Sequence, residues 1–255
     1  MEINSRYVPV PGTVITAKEI AAMIDHALLK PEMTKQDVID GCLFAEEFGC
    51  AAVCVKPCDV EVAAEVLKGA DVLVGSVIGF PHGHHLTEVK LLEAECALRQ
   101  GCKELDMMLN IGRFLSGEDK LVEDDIRAVC ELSHRQEAIV KVIIENYYMT
   151  DEQKVRACRI CERAGADFVK TSTGYAVGGA TIGDLHLMRK TCSDKVLVKA
   201  AGGVRTLDAA LLARAAGAVR VGTTASKAII TEAHQREKAG TLKIPELAGE
   251  LETGY

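Results

Sequence analysis

The chain has no long apolar run. Its longest apolar-leaning stretch, VLVGSVIGF at Val72 to Phe80, falls far short of the roughly 20 residues a membrane-crossing helix needs. It also has no basic excess: lysine plus arginine total 30 against 37 for aspartate plus glutamate, a net charge of -7. That excludes the broad positive field by which nucleic acid is held, although small anions can still bind locally. The opening MEINSRYVPVPG shows no basic segment followed by an apolar one, so no secretory leader is expected. No Pro/Gly/Ser-rich linker and no low-complexity tract divides the 255 residues. Ten cysteines at scattered spacings are not a disulfide framework and read as reduced, mostly buried thiols. With 48% hydrophobic and 26% charged residues, the composition fits a cytoplasmic enzyme with one large core, 1–255, acting on small molecules and independent of membrane or nucleic acid.

What is present is a rhythm. Short apolar runs at Ile24–Leu29, Ala51–Lys56, Val72–Phe80, Glu104–Asn110, Ile139–Glu145, Phe168–Thr173, Val196–Ala201 and Val219–Thr223 alternate with longer amphipathic stretches. The latter are expected as helices over Thr34–Phe48, Asp59–Lys68, Thr87–Gln100, Lys120–Arg135, Asp151–Ala164, Ile182–Lys190, Leu207–Ala215 and Thr224–Lys238. Thr34 three residues before Asp37, and Thr150 three before Gln153, are helix-start signals. About eight β-then-α units predict a closed (β/α)8 TIM barrel of the α/β class. The rival, an open doubly wound sheet, lacks its marks: there is no G-x-G-x-x-G after the first strand and no G-x-x-x-x-G-K-[ST]. Residues 1–23 are expected as an N-terminal extension contributing a short helix at the barrel floor, and 239–255 as a mobile C-terminal tail.

Charges inside the apolar runs carry the chemistry. Side chains alternate along a barrel strand, so FVKTSTG turns Phe168, Lys170 and Ser172 inward and VLVKAAGG turns Leu197, Lys199 and Ala201 inward. In ELDMMLN the phase of Asp106 includes Met108 and Asn110, and Asp25 lies early on the first strand beside His26. One inward charge alone reads as part of a satisfied ion network. Two converging lysines suggest more: a lysine normally near 10.4 can drop to roughly 7–8 when it is desolvated beside another ammonium, and a free amine attacks aldehydes to form a Schiff base. Glycines at Ser172–Gly174, Ala201–Gly203 and Gly222–Thr224 close the last three strands, where backbone N–H groups and helix starts commonly hold phosphate.

The stretches IDHALLKP (24–31), IGFPHGHHLTEVK (78–90), ELDMMLNIG (104–112), KVIIE (141–145), DFVKTSTGY (167–175), VKAAGGVRT (198–206) and RVGTT (220–224) together resemble the deoxyribose-phosphate aldolase family, from about Ile24 to about Ile230. The resemblance implies a class I, Schiff-base aldolase that reversibly cleaves 2-deoxy-D-ribose 5-phosphate to D-glyceraldehyde 3-phosphate and acetaldehyde, with no cofactor and no metal. It implies Lys170 as the Schiff-base lysine, Lys199 as the second lysine, Asp106 as the aspartate working with a water in proton transfer, and Asp25 as a supporting acid. Gly174, Gly202, Gly203, Gly222 and Thr224 are expected around the substrate and its phosphate. Barrels of this kind often form homo-oligomers.

Some features depart from that pattern. HGHH at His82–His85 has no carboxylate at ligand spacing and reads as loop surface, and CRIC at Cys158–Cys161 falls within a helix and reads as packed thiols. Where the family commonly has serines this chain has Thr224 and Ala225, so one phosphate-binding hydroxyl is missing. Cys54 is expected to point inward, where its thiol could meet an aldehyde. Some longer members of the family end in a tyrosine that reaches the active site, and Tyr255 ends this chain. A phosphate-sugar isomerase or epimerase, using a carboxylate or cysteine base, and a catalytically silent phosphosugar-binding barrel remain as alternatives.

Overall fold

The computed structural model describes residues 7–247; Tyr255 lies outside the described residues. Eight parallel strands close in sequence order into a barrel: β1 (Ile24–Leu28), β2 (Ala52–Val55), β3 (Leu73–Ile78), β4 (Glu104–Met108), β5 (Ile139–Ile143), β6 (Phe168–Lys170), β7 (Leu197–Ala201) and β8 (Arg220–Thr223). The closing seam pairs Ile24 with Val221, Asp25 with Gly222 and His26 with Thr223. The helices are α1 (Ala17–Ala21), α2 (Lys35–Phe48), α3 (Val60–Val66), α4 (Thr87–Arg99), α5 (Ile111–Leu115), α6 (Asp119–His134), α7 (Asp151–Ala164), α8 (Ile182–Thr191), α9 (Leu207–Ala215) and α10 (Ser226–Lys238).

Local chemistry explains the element limits. Thr34 and Thr150 accept hydrogen bonds from the backbone N–H groups of Asp37 and Gln153, whose side chains return the bond to the threonine N–H. Each such cap stabilises its helix by about 1 kcal/mol. Gly49 and Gly165 end those helices in the left-handed conformation that glycine adopts without steric cost. The helix expected from Thr224 begins instead at Ser226, because the Thr223 hydroxyl accepts the Ala225 N–H and holds the chain in a turn. The short α5 was not anticipated; Asn110, expected as the end of a strand, is its N-cap and accepts the Arg113 N–H.

The two faces of the sheet differ sharply. Val53, Val55, Val74, Leu105, Met107, Val140, Val142, Val169, Val198 and Val221 face outward and belong to one continuous apolar layer beneath the helices. Burial of that layer drives the fold. The alternate residues point to the barrel axis, where Asp25, Glu104, Asp106, Lys141, Lys170 and Lys199 are all buried. Interiors of this fold are more often filled with branched aliphatic residues.

The chain outside the barrel is tied to it. Val14 bridges Lys243, the Gly12 and Ile15 N–H groups donate to Ile244 and Leu242, and Leu242 and Ile244 are buried. The tail expected from 239 is thus anchored as far as Ile244, because it pairs with the N-terminal extension. α1 packs on α10. Among the described residues no helix is long and apolar enough to cross a membrane.

Candidate active site

Register places the charges side by side. Asp106 on β4 pairs with Lys141 on β5, Lys170 on β6 with Lys199 on β7, and Lys199 with Arg220 on β8. Cations therefore line the wall from β5 to β8, facing Asp25 on β1 and Glu104 and Asp106 on β4. Asp106 is the hub: it accepts from Lys170 Nζ at 2.6 Å and Lys199 Nζ at 2.8 Å on one oxygen and from Lys141 Nζ at 3.2 Å on the other. Asp25 accepts from Lys141 at 3.0 Å and also from Lys199 and Arg220. Glu104 accepts from Lys141 and, at 2.5 Å, from Arg220.

The ion pairs decide the charge states. Burial works to raise the Asp25 and Asp106 carboxyls, but the surrounding ammonium groups reverse this and hold both well below the usual carboxylate range. For Lys141 and Lys199 burial pushes down, and the carboxylates more than offset it, leaving both raised. Four cations (Lys141, Lys170, Lys199, Arg220) meet three carboxylates (Asp25, Glu104, Asp106), which leaves one positive charge in excess when all are ionised. Among the described residues Lys170 meets one carboxylate, whereas each other cation meets two or three. Loss of its proton breaks the fewest ion pairs.

Above the cluster, at the C-terminal ends of the strands, opens a cavity of about 420 Å³ lined by Asp25, Cys54, Lys170, Lys199 and the loops that follow β1, β6, β7 and β8. Every glycine expected around the ligand lies on this lining, as does Thr224. Gly174, Gly202 and Gly203 take positive φ (92°, 77° and 82°), conformations that other residues adopt only with strain. Gly222 has a different function: a Cβ there would sit 3.3 Å from Lys199 Cε, so its absence leaves room for the lysine. The β6 loop folds back until a Cβ on Gly179 would lie 2.5 Å from the Gly202 carbonyl. Of the helices after β6, β7 and β8, α8 and α9 are capped by Thr181 and Thr206, while α10 has no side-chain cap. Its free N–H groups suit an anion. A larger open depression of about 650 Å³ lies along Thr87, Glu118, Asp119, Lys120 and Asp124, but none of the barrel's buried charges reaches it.

Lys170, Lys199, Asp106 and Asp25 are brought together as the alternation requires. Lys141, Glu104 and Arg220 were missed, although the same alternation carried them: Lys141 interrupts an apolar strand as Lys170 does, and Glu104 lies two residues before Asp106. Cys54 faces the cavity, but burial pushes its thiol up to about 11, so little thiolate exists at neutral pH. Cys158 and Cys161 are buried free thiols in α7. His82 and His84 are exposed and stack with centroids 5.6 Å apart, and among the described residues no group of three or more His, Cys, Asp or Glu is arranged to hold a metal.

Known proteins resemble this chain along most of its length. The chain is 50% identical over 221 residues to a deoxyribose-phosphate aldolase of Thermococcus gammatolerans, covering 86% of this chain and 98% of that protein. It is 50% identical over 212 residues to one of Listeria monocytogenes, covering 83% and 95%. Among solved structures, the tetrameric deoxyribose phosphate aldolase from Aeropyrum pernix superposes with a TM-score of 0.80 at 31% identity, over 88% of this chain and 93% of that one. The family model for DeoC/LacD family aldolases matches residues 16–229. With a closed barrel, an amine-bearing polar core and this similarity along most of its length, the chain belongs to the DeoC/LacD aldolase family.

Proposed function

We propose that the chain is a class I aldolase that reversibly cleaves 2-deoxy-D-ribose 5-phosphate to D-glyceraldehyde 3-phosphate and acetaldehyde through a Schiff base on Lys170. The observation that carries the reading is a buried lysine with a single carboxylate partner at the floor of a polar cavity, in a cluster that holds one cation in excess. Lys170 gives up its proton and attacks C1 of the open-chain sugar; loss of water leaves a protonated imine. The electrons of the C2–C3 bond move into that imine, glyceraldehyde 3-phosphate leaves, and an enamine remains. Asp106, with Lys199 and a water, relays the C3 hydroxyl proton. The depressed Asp106 carboxyl stays ionised at neutral pH, so it holds the relaying water and the ammonium groups as a hydrogen-bond acceptor. Protonation at C2 and hydrolysis release acetaldehyde. Asp25 orients Lys199 and Lys141. The α10 N-terminus and the β7 and β8 loops take the phosphate, with Thr224 supplying a hydroxyl that Ala225 cannot.

Borohydride reduction in the presence of acetaldehyde tests the reading: an ethyl group on Lys170 in the peptide map is the expected product, and an unmodified Lys170 refutes it. An isomerase with a carboxylate or cysteine base would trap nothing. The tetrameric relative from Aeropyrum pernix makes a homo-oligomer the expected assembly.

Two variants probe the parts separately. Lys199→Leu lowers activity and moves the pH–rate profile upward, because the lost cation no longer opposes protonation of its neighbour; an unmoved profile would show that the two amines are not coupled. Gly179→Ala forces a methyl group against the Gly202 backbone. Overpacking there raises KM for the phosphorylated sugar by at least about tenfold, while trapping of acetaldehyde on Lys170 is retained. Unchanged KM would remove the β7 turn from phosphate binding.

A further inference from the structure

Glu145 lies just beyond β5 and has no role in the scheme above. It is buried at 2% exposure, and its backbone is left-handed (φ 51°), a conformation unusual for glutamate. One carboxylate oxygen, Oε2, accepts the Thr173 N–H at 3.1 Å and also the Thr173 hydroxyl. The other, Oε1, is buried with no hydrogen-bond partner among the described residues. Burial raises this carboxyl, with the Thr173 bonds and the charge of Lys170 pulling the other way.

The bonds continue past Thr173. Its hydroxyl oxygen accepts the Tyr175 N–H at 3.0 Å, and the Tyr175 hydroxyl donates to the Leu29 carbonyl at 2.9 Å, on the far side of the barrel mouth. Tyr175 meets Phe80 edge-on, with ring centroids 5.5 Å apart. Thr173, Gly174, Tyr175 and Leu29 all line the cavity. The chain of bonds from β5 to the loop after β1 therefore forms part of the ligand's wall, and Glu145 is its buried end.

We infer that Glu145 is a positioning residue for the aldol reaction: its carboxylate sets the Thr173–Gly174–Tyr175 turn in the shape that receives the phosphorylated sugar. The inference rests on the aldolase reading. It assigns Glu145 to substrate binding through the turn, because one of its oxygens holds both Thr173 donors. A glutamine keeps a carbonyl oxygen that can accept both Thr173 bonds without charge, whereas alanine removes them. The neighbouring turn then loses its anchor while Lys170, on the preceding strand, keeps its place.

Steady-state kinetics of Glu145→Ala, Glu145→Gln and Thr173→Val provide the test. Glu145→Ala raises KM for deoxyribose 5-phosphate by about tenfold, the scale of a hydrogen bond to a charged group, and lowers kcat much less. Glu145→Gln recovers most of the lost affinity. Thr173→Val raises KM similarly, since it removes the hydroxyl's bond to Glu145 and its acceptance of the Tyr175 N–H, and adding it to Glu145→Ala costs less than the sum of the two, because the hydroxyl–carboxylate bond is shared. If Glu145→Gln lowers kcat by about tenfold or more, the scale of a lost contact to a charged group, the charge serves chemistry and the inference fails. It fails as well if KM is unchanged in Glu145→Ala or, should that variant not fold, in Thr173→Val. Borohydride trapping of acetaldehyde on Lys170 of the unaltered enzyme is run alongside. Absence of the trap there overturns the aldolase reading itself, whereas a normal trap with unchanged KM in the variants overturns only the role of Glu145.

Discussion

Lys170→Arg is expected to lower turnover by at least about 10³-fold, the scale on which enzymes lose activity with their covalent nucleophile, and to leave the barrel folded. The guanidinium keeps the positive charge that Asp106 now receives at 2.6 Å, and the cavity above gives the longer side chain room. Arginine does not deprotonate in proteins and so cannot attack the aldehyde. The variant should therefore bind sugar phosphate, keep its thermal transition within a few degrees, and show no borohydride-trapped ethyl group. Turnover within tenfold of the unaltered enzyme would place the Schiff base elsewhere, with Lys199 and Lys141 as the remaining buried amines.

Asp106→Asn has the second large effect, on stability as well as rate. The aspartate satisfies three ammonium groups that have almost no access to water. Removing one partner of a buried ionic network costs about 3–5 kcal/mol, and loss of the proton relay costs roughly 10²- to 10⁴-fold in kcat. Urea unfolding at pH 7 reads the first and steady-state kinetics the second; an unchanged urea midpoint would show that the cluster does not need Asp106.

The pH response follows from the signs. The depressed Asp25 and Asp106 carboxyls contribute stability that is complete above the unfolded value of about 3.9 and is lost progressively from there as pH falls toward and through their lower folded values. The raised Lys141 and Lys199 contribute stability that is complete below about 10.4 and is lost as pH rises through their higher folded values. Asp106→Asn should therefore lose less stability than the unaltered protein between pH 7 and pH 3, having already forfeited that contribution.

Much of this was legible in the sequence because barrel strands repeat with period two. Lys170, Lys199 and Asp106 stand in apolar company where alternation fixes their direction, and the glycine turns sit where strands end. Alternation also turns Lys141, Glu104 and Arg220 inward, but which of these charges meet depends on register across strands: Arg220 reaches Glu104 over a separation of 116 residues. Glu145 was unreadable for another reason. Its backbone leaves the strand into a left-handed turn, and there period two no longer says where a side chain points. Strand ends suffered similarly. β6 stops at Lys170 and not at Thr173, since beyond it the chain turns to wall the cavity.

The seam between β1 and β8 also sets when this protein becomes an enzyme. Asp25, near the start of the chain, is held by Lys199 and Arg220 from its last two strands, across separations of 174 and 195 residues. A ribosome-bound chain in which β8 has not yet emerged has the amine of Lys170 but neither the completed counter-charge network nor the part of the cavity wall that Gly222, Thr223 and Thr224 supply. On the proposed mechanism Lys170 thus acquires its full surroundings only when the last strand docks, so the growing polypeptide passes most of its synthesis without the completed site.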